Sequence, residues 1–158
     1  MRYAGGMLWR QNHLGHLLTQ AGARFEQRVL QLMAADETLP LRWTHRIENA
    51  RITAAQVHIT RHLPREGARL TDLAQAAGMT KQAMAALVGE CEVLGLVQRQ
   101  ANLPDARAKR IVFSETGLLW LAAYEHAVDR AQEEFRAELG ADVATVLLLG
   151  LEAYAAGG

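Results

Sequence analysis

Three groups of residues in this chain have types and spacings that can do chemistry. Thr80, Lys81 and Gln82 stand in a row, and Arg107, Lys109 and Arg110 follow further along. Such hydroxyl, ammonium and guanidinium groups bind phosphate oxygens, and a glutamine amide can pair with a base edge. The second group is imidazole. His58 and His62 are four apart, and His13 and His16 are three apart. On a helix either spacing can bring two imidazoles to one metal ion. The third is a lone thiol, Cys91, which as a thiolate would be a redox or nucleophilic centre.

Their surroundings weigh against the last two. No cysteine lies near either histidine pair and no acidic cluster surrounds them. The sequence therefore favours histidines on the surface or in a pocket, with His58 and His62 kept as the metal-binding alternative. Cys91 falls on the apolar stripe of a helix, where it acts as a small packed hydrophobe. A Gly-rich phosphate loop, a nucleophile motif and a paired-carboxylate arrangement are all missing from the sequence. Ser114 begins a helix, and capping explains it. No enzymatic activity and no cofactor are expected.

The elements that must position the polar groups can be read from periodicity. Leu14, Leu17, Leu18, Ala21, Phe25, Val29 and Leu32 recur at three- and four-residue steps, predicting a long helix capped by Asn12. Residues 36–40 end it, and Trp43 to Arg51 fits either a short helix or an ordered connector. Thr53 caps a helix that Pro64 stops. Leu70, Leu73 and Ala77 share a face of a short helix with Thr71 as its cap. Gly78 closes it, and Thr80 caps the next helix, whose stripe is Met84, Leu87, Val88, Cys91 and Leu94. Two helices about a glycine turn make a helix-turn-helix. After Gly95 the period becomes extended: residues 96–100 and 110–113 predict a hairpin around Asn102, Pro104 and Asp105. Ser114 opens a second long helix, Gly140 breaks it, and residues 142–155 form a last one.

Length and composition suit a single protomer. Half of the 158 residues are hydrophobic, and one cysteine leaves no intrachain disulfide. No signal peptide or membrane span is read, so a cytoplasmic location is expected. The formal net charge is zero, but it is unevenly spread. Residues 1–60 and 61–112 each carry an excess of three positive charges, whereas residues 113–158 carry an excess of six negative ones. This permits a middle that faces nucleic acid and a tail that avoids it.

A helix-turn-helix followed at once by a hairpin is a winged helix. The run LTDLAQAAGMTKQAMAALVGECEVLGLVQRQANLPDARAKRIVFSETG, residues 70–117, resembles the MarR family of bacterial transcriptional regulators. LTDLAQAAGMTKQAM matches the two helices and their turn, LGLVQR the exit into a strand, and DARAKRIVFSETG the wing and the next helix. The resemblance implies a mainly α fold with a small β-hairpin wing. Residues 53–113 would be the DNA-binding lobe, and residues 8–38 with 114–156 the helical dimerisation lobe of one protomer. It also implies a homodimer on an inverted-repeat duplex operator, acting as a repressor tuned by a small ligand.

In that family frame the DNA-binding residues are Thr80, Lys81, Gln82, Ala85 and Ala86 on the recognition helix. Asp105, Arg107, Lys109 and Arg110 lie on the wing. Arg107 matches the arginine that enters the minor groove, and Asp105 the acid that orients it. Ala85, Ala86 and Glu90 depart from the family pattern, in which polar or basic residues are frequent. Direct base readout is therefore expected to be sparse. A basic wing argues against a winged helix used only for protein contacts. Relatives that bind aromatic acids suggest an effector pocket walled by His16, Trp43, His45, Arg46, Trp120 and Tyr124. Zinc-responsive relatives leave the histidines as the alternative.

Overall fold

The structure is a computed structural model that describes residues 12–49, 51–101 and 109–157, without the side chains of Ala54, His58 and Ala101. The helices and strands run in the order α1 (Leu14–Ala34), α2 (Leu41–Glu48), α3 (Ala54–His62), β1 (Ala68–Arg69), α4 (Leu70–Ala76), α5 (Lys81–Val93), β2 (Val97–Ala101), β3 (Lys109–Phe113), α6 (Glu115–Leu139) and α7 (Ala141–Ala156). The chain divides into two compact units, Met33–Glu125 and the remainder on either side of it. The division falls inside α1 and α6 rather than at their ends.

The central unit is a winged helix-turn-helix. Leu73 and Ala74 of α4 and Met84, Val88 and Cys91 of α5 are buried. The turn between them needs Gly78, whose φ is +63°, a conformation that a Cβ penalises. There Gly78 N–H donates to Gln75 O at 3.0 Å and Met79 N–H to Ala74 O at 2.9 Å, which satisfies carbonyls that the end of α4 leaves open. Thr80 then caps α5 by accepting from Ala83 N–H at 3.2 Å.

After α5 the chain enters a three-stranded antiparallel sheet of order β1-β3-β2. The hairpin register runs from Val97↔Phe113 to Ala101↔Lys109. Ile111 and Phe113 face the core, while Arg110 and Val112 on the opposite face are half-buried. Ser114 caps α6 as expected, its hydroxyl oxygen accepting from Gly117 N–H at 2.9 Å. Further along, Trp120 packs on Trp43 with ring centroids 5.2 Å apart. Trp120 Nε1–H donates to Thr60 Oγ1, which in turn donates to Gln56 O.

Two expected caps are corrected, one open reading is resolved and one strand is new. The first helix is capped by His13, whose Nδ1 accepts from His16 N–H at 3.3 Å, and not by Asn12. Thr71 lies inside α4, because Arg69 is the N-cap and the helix begins at Leu70. Its hydroxyl instead meets Asp72 Oδ1 at 3.3 Å. The segment from Trp43 is a helix, starting two residues earlier at Leu41 behind Pro40. Strand β1 was not foreseen, since two residues carry no alternation; the open edge of β3 recruits it.

In the other unit, α1 and α6 are joined by two arginine–glutamate pairs. Arg28 meets Glu134 through Nε–Oε2 at 2.6 Å and Nη2–Oε1 at 2.8 Å, and Arg24 meets Glu138 at 2.8 Å. The Arg28 hydrogen bonds hold the Glu134 carboxyl below its ordinary range and raise the Arg28 guanidinium. Ala127 and Ala131 are buried one turn apart on α6. Of the long apolar helix α7, only Ala144 is buried. Leu14, Leu17, Val143, Val146, Leu149 and Tyr154 are each half or more exposed. Among the described residues no single helix is long and apolar enough to cross a membrane.

Candidate nucleic-acid interface

The recognition surface follows from which side of α5 is buried. Met84, Val88 and Cys91 at steps of four and three define the core stripe. Thr80, Lys81, Gln82, Ala83, Ala86, Glu90 and Val93 are exposed, while Ala85 is half-buried. The first turn thus presents a hydroxyl, an ammonium and an amide to solvent. Apart from Glu90 the rest of the face is short or apolar, with Val93 at 88% exposure. Ala83 and Val93 belong to this face although sequence reasoning did not place them there. Their positions follow once Met84 and Val88 fix the helix rotation.

Glu90 takes a role that its sequence position did not reveal. Its Oε1 accepts from Thr53 Oγ1 at 2.6 Å, tying the middle of α5 to the N-cap of α3. Glu92 similarly holds Arg99 of β2, with Nε–Oε2 at 3.0 Å. Glu90, which departs from the family pattern, thus ties α5 to α3. A double-mutant cycle of Glu90→Ala and Thr53→Val should return a coupling of about 0.5–1 kcal/mol in urea unfolding. Additive losses would show that the two side chains do not act together.

Cys91 is fully buried beneath this helix. Burial pushes its thiol up to about 12, with the Glu90 charge adding to the effect. At pH 8 the native protein should resist iodoacetamide and become alkylated only when unfolded, because the thiolate is the reacting form. Modification of the native protein within minutes would contradict this.

In the wing, Lys109 is exposed. Arg110 is half-buried, and its Nη2 donates to Gly67 O at 2.7 Å. Asp105 and Arg107 lie outside the described residues. The expected effector residues differ in exposure. Trp43 and Trp120 are core residues, 1% and 2% exposed, so they wall the interior rather than an open pocket. A large aromatic surface gains most when removed from water, and the two indoles meet at a tilt of 58°. His45 is exposed, and Arg46 and Tyr124 are half-buried. Arg46 lies 5.9 Å from the Trp43 ring and donates to Arg51 O. His16 is half-buried on α1. Among the described residues no three His, Cys, Asp or Glu side chains could hold a metal ion; the His58 side chain is outside that description.

Residues 52–108 match the sequence profile of the MarR family. No curated protein matches the chain. Solved structures share its fold. The transcriptional repressor CouR, bound to a 23-mer DNA duplex, superposes with a TM-score of 0.65 at 23% identity, covering 98% of this chain and 99% of that one. The Staphylococcus aureus MepR–DNA complex gives a TM-score of 0.65 at 17% identity over 92% of this chain and 98% of that one. A Mycobacterium tuberculosis MarR-family protein in complex with p-aminosalicylic acid gives 0.57 at 22% identity, over 90% and 98%.

Proposed function

We propose that this chain, which carries a MarR-family winged helix, is a sequence-specific regulator of transcription that binds duplex DNA as a homodimer. The observation that carries the reading is the first turn of α5. Thr80, Lys81 and Gln82 stand exposed on a helix whose opposite side is core, in one unit with a β-hairpin. That turn can meet base edges and phosphates in a major groove while the wing reaches the neighbouring minor groove. CouR and MepR, which share the fold, have been seen with DNA.

Dimerisation rests on α7 and the start of α1, whose apolar side chains would otherwise remain in water. A second copy covers them most simply by two-fold pairing, which also spaces two recognition helices for an inverted repeat. Selection of bound duplexes from a random pool tests both ideas together. Recovery of an inverted repeat is expected; recovery of no enriched sequence would defeat the reading. Sedimentation as a monomer at micromolar concentration would defeat the dimer.

The same reading includes repression relieved by a small organic acid, a class suggested by the p-aminosalicylic acid complex of the mycobacterial relative. His45, Arg46 and Tyr124 are the residues left to offer it cationic and phenolic groups once the two tryptophans are assigned to the core. A thermal-shift screen of aromatic carboxylates tests this, since a bound ligand raises the unfolding midpoint.

A further inference from the structure

At the base of the wing two arginines stand opposite each other across the sheet. The register pairs Arg69 of β1 with Arg110 of β3, and cross-strand partners share one face of a sheet. Like charges in that arrangement are destabilising. Among the described residues neither guanidinium makes an ion pair. Arg110 is tethered through Nη2 to Gly67 O, while its Nε is buried with no hydrogen-bond partner. Both arginines line an open pocket of about 350 Å³, together with Gly67 and Asp72.

We propose that this pocket holds a phosphate of the DNA backbone, which makes Arg69 a DNA-binding residue and the base of the wing a second anchor beside its tip. The inference rests on the DNA-binding reading above. Two opposed guanidiniums converge on one oxyanion, and the planar fork of arginine suits phosphate oxygens. The anion removes the like-charge conflict and gives the orphaned Nε–H an acceptor. The location agrees, because Arg69 directly precedes α4, and the first helix of this motif crosses the backbone. Asp72 in the same wall favours a singly charged phosphodiester over a free, more highly charged phosphate.

Arg69→Gln in the full chain tests the assignment, with a thermal midpoint no lower than that of the wild type as the folding control. Duplex binding is titrated between 50 and 200 mM salt, on a selected and on a random sequence. The expected result is roughly tenfold weaker binding to both and a salt slope reduced by about 0.9. Wild-type affinity and slope in the variant would overturn the inference and leave the DNA-binding reading intact. A wild-type chain that binds no duplex would overturn both. A parallel thermal-shift series uses inorganic phosphate. Stabilisation of the wild type but not of the variant, with the duplex salt slope unchanged, would assign the pocket to a free anion and overturn the backbone assignment.

Discussion

Replacing Gly117 with alanine is expected to destabilise the protein by at least ~3 kcal/mol, lowering the thermal midpoint by roughly 6–12 °C. A Cβ at this position would lie 1.9 Å from Leu96 O and 3.0 Å from Leu96 C, with Phe113 Cδ1 at 3.1 Å. The nearest obstacle is backbone, so no side-chain rotation relieves it. Helix α6 would have to lift away from the strand entrance, breaking the bond from Ser114 N–H to Leu96 O and loosening the Ser114 cap. Gly89 provides the internal control. It also sits within a helix, but nothing lies within 4 Å of the Cβ it would gain. Gly89→Ala should therefore stabilise by about 0.5–1 kcal/mol, the ordinary gain for a glycine in a helix. Equal effects from the two substitutions would refute the close-approach argument.

Arg107→Ala should weaken operator binding by ~30-fold, against about fivefold for Gln82→Ala. The recognition helix follows its polar first turn with Ala83, Ala86, Glu90 and Val93. Few donors remain there for base edges, and Glu90 is engaged with Thr53. Affinity is then expected to come largely from shape and from the wing. The ladder from Val97↔Phe113 to Ala101↔Lys109 sets where the segment carrying Asp105 and Arg107 leaves and returns. An arginine delivered to a narrow minor groove meets enhanced negative potential, which a glutamine amide does not exploit. Gel-shift titrations of both variants against one duplex decide the order. A larger loss from Gln82→Ala would move the main contact back to the recognition helix.

Much of the local architecture was legible because it is written in short-range chemistry. Gly78 and Gly140 marked their breaks, Thr53, Thr80 and Ser114 marked their helix starts, and the stripe Met84, Val88, Cys91 identified the buried side of α5. Cys91 was recognised as a packed hydrophobe for the same reason. Thr71 and Asn12 were misplaced as caps because a neighbouring residue can start a helix equally well, and only hydrogen bonding selects between them.

By itself, then, the sequence determined the winged helix, its turn and the residues of its polar first turn, since periodicity and capping act within a few residues. The tertiary structure alone decided what depends on partners distant in the chain. It set Trp43 against Trp120 in the core, as two large apolar rings lose most water by packing together. It turned Glu90 into a tether to Thr53 across 37 residues. It also created β1, setting Arg69 opposite Arg110, because the pairing of a two-residue strand is dictated by the free edge beside it and not by its own composition.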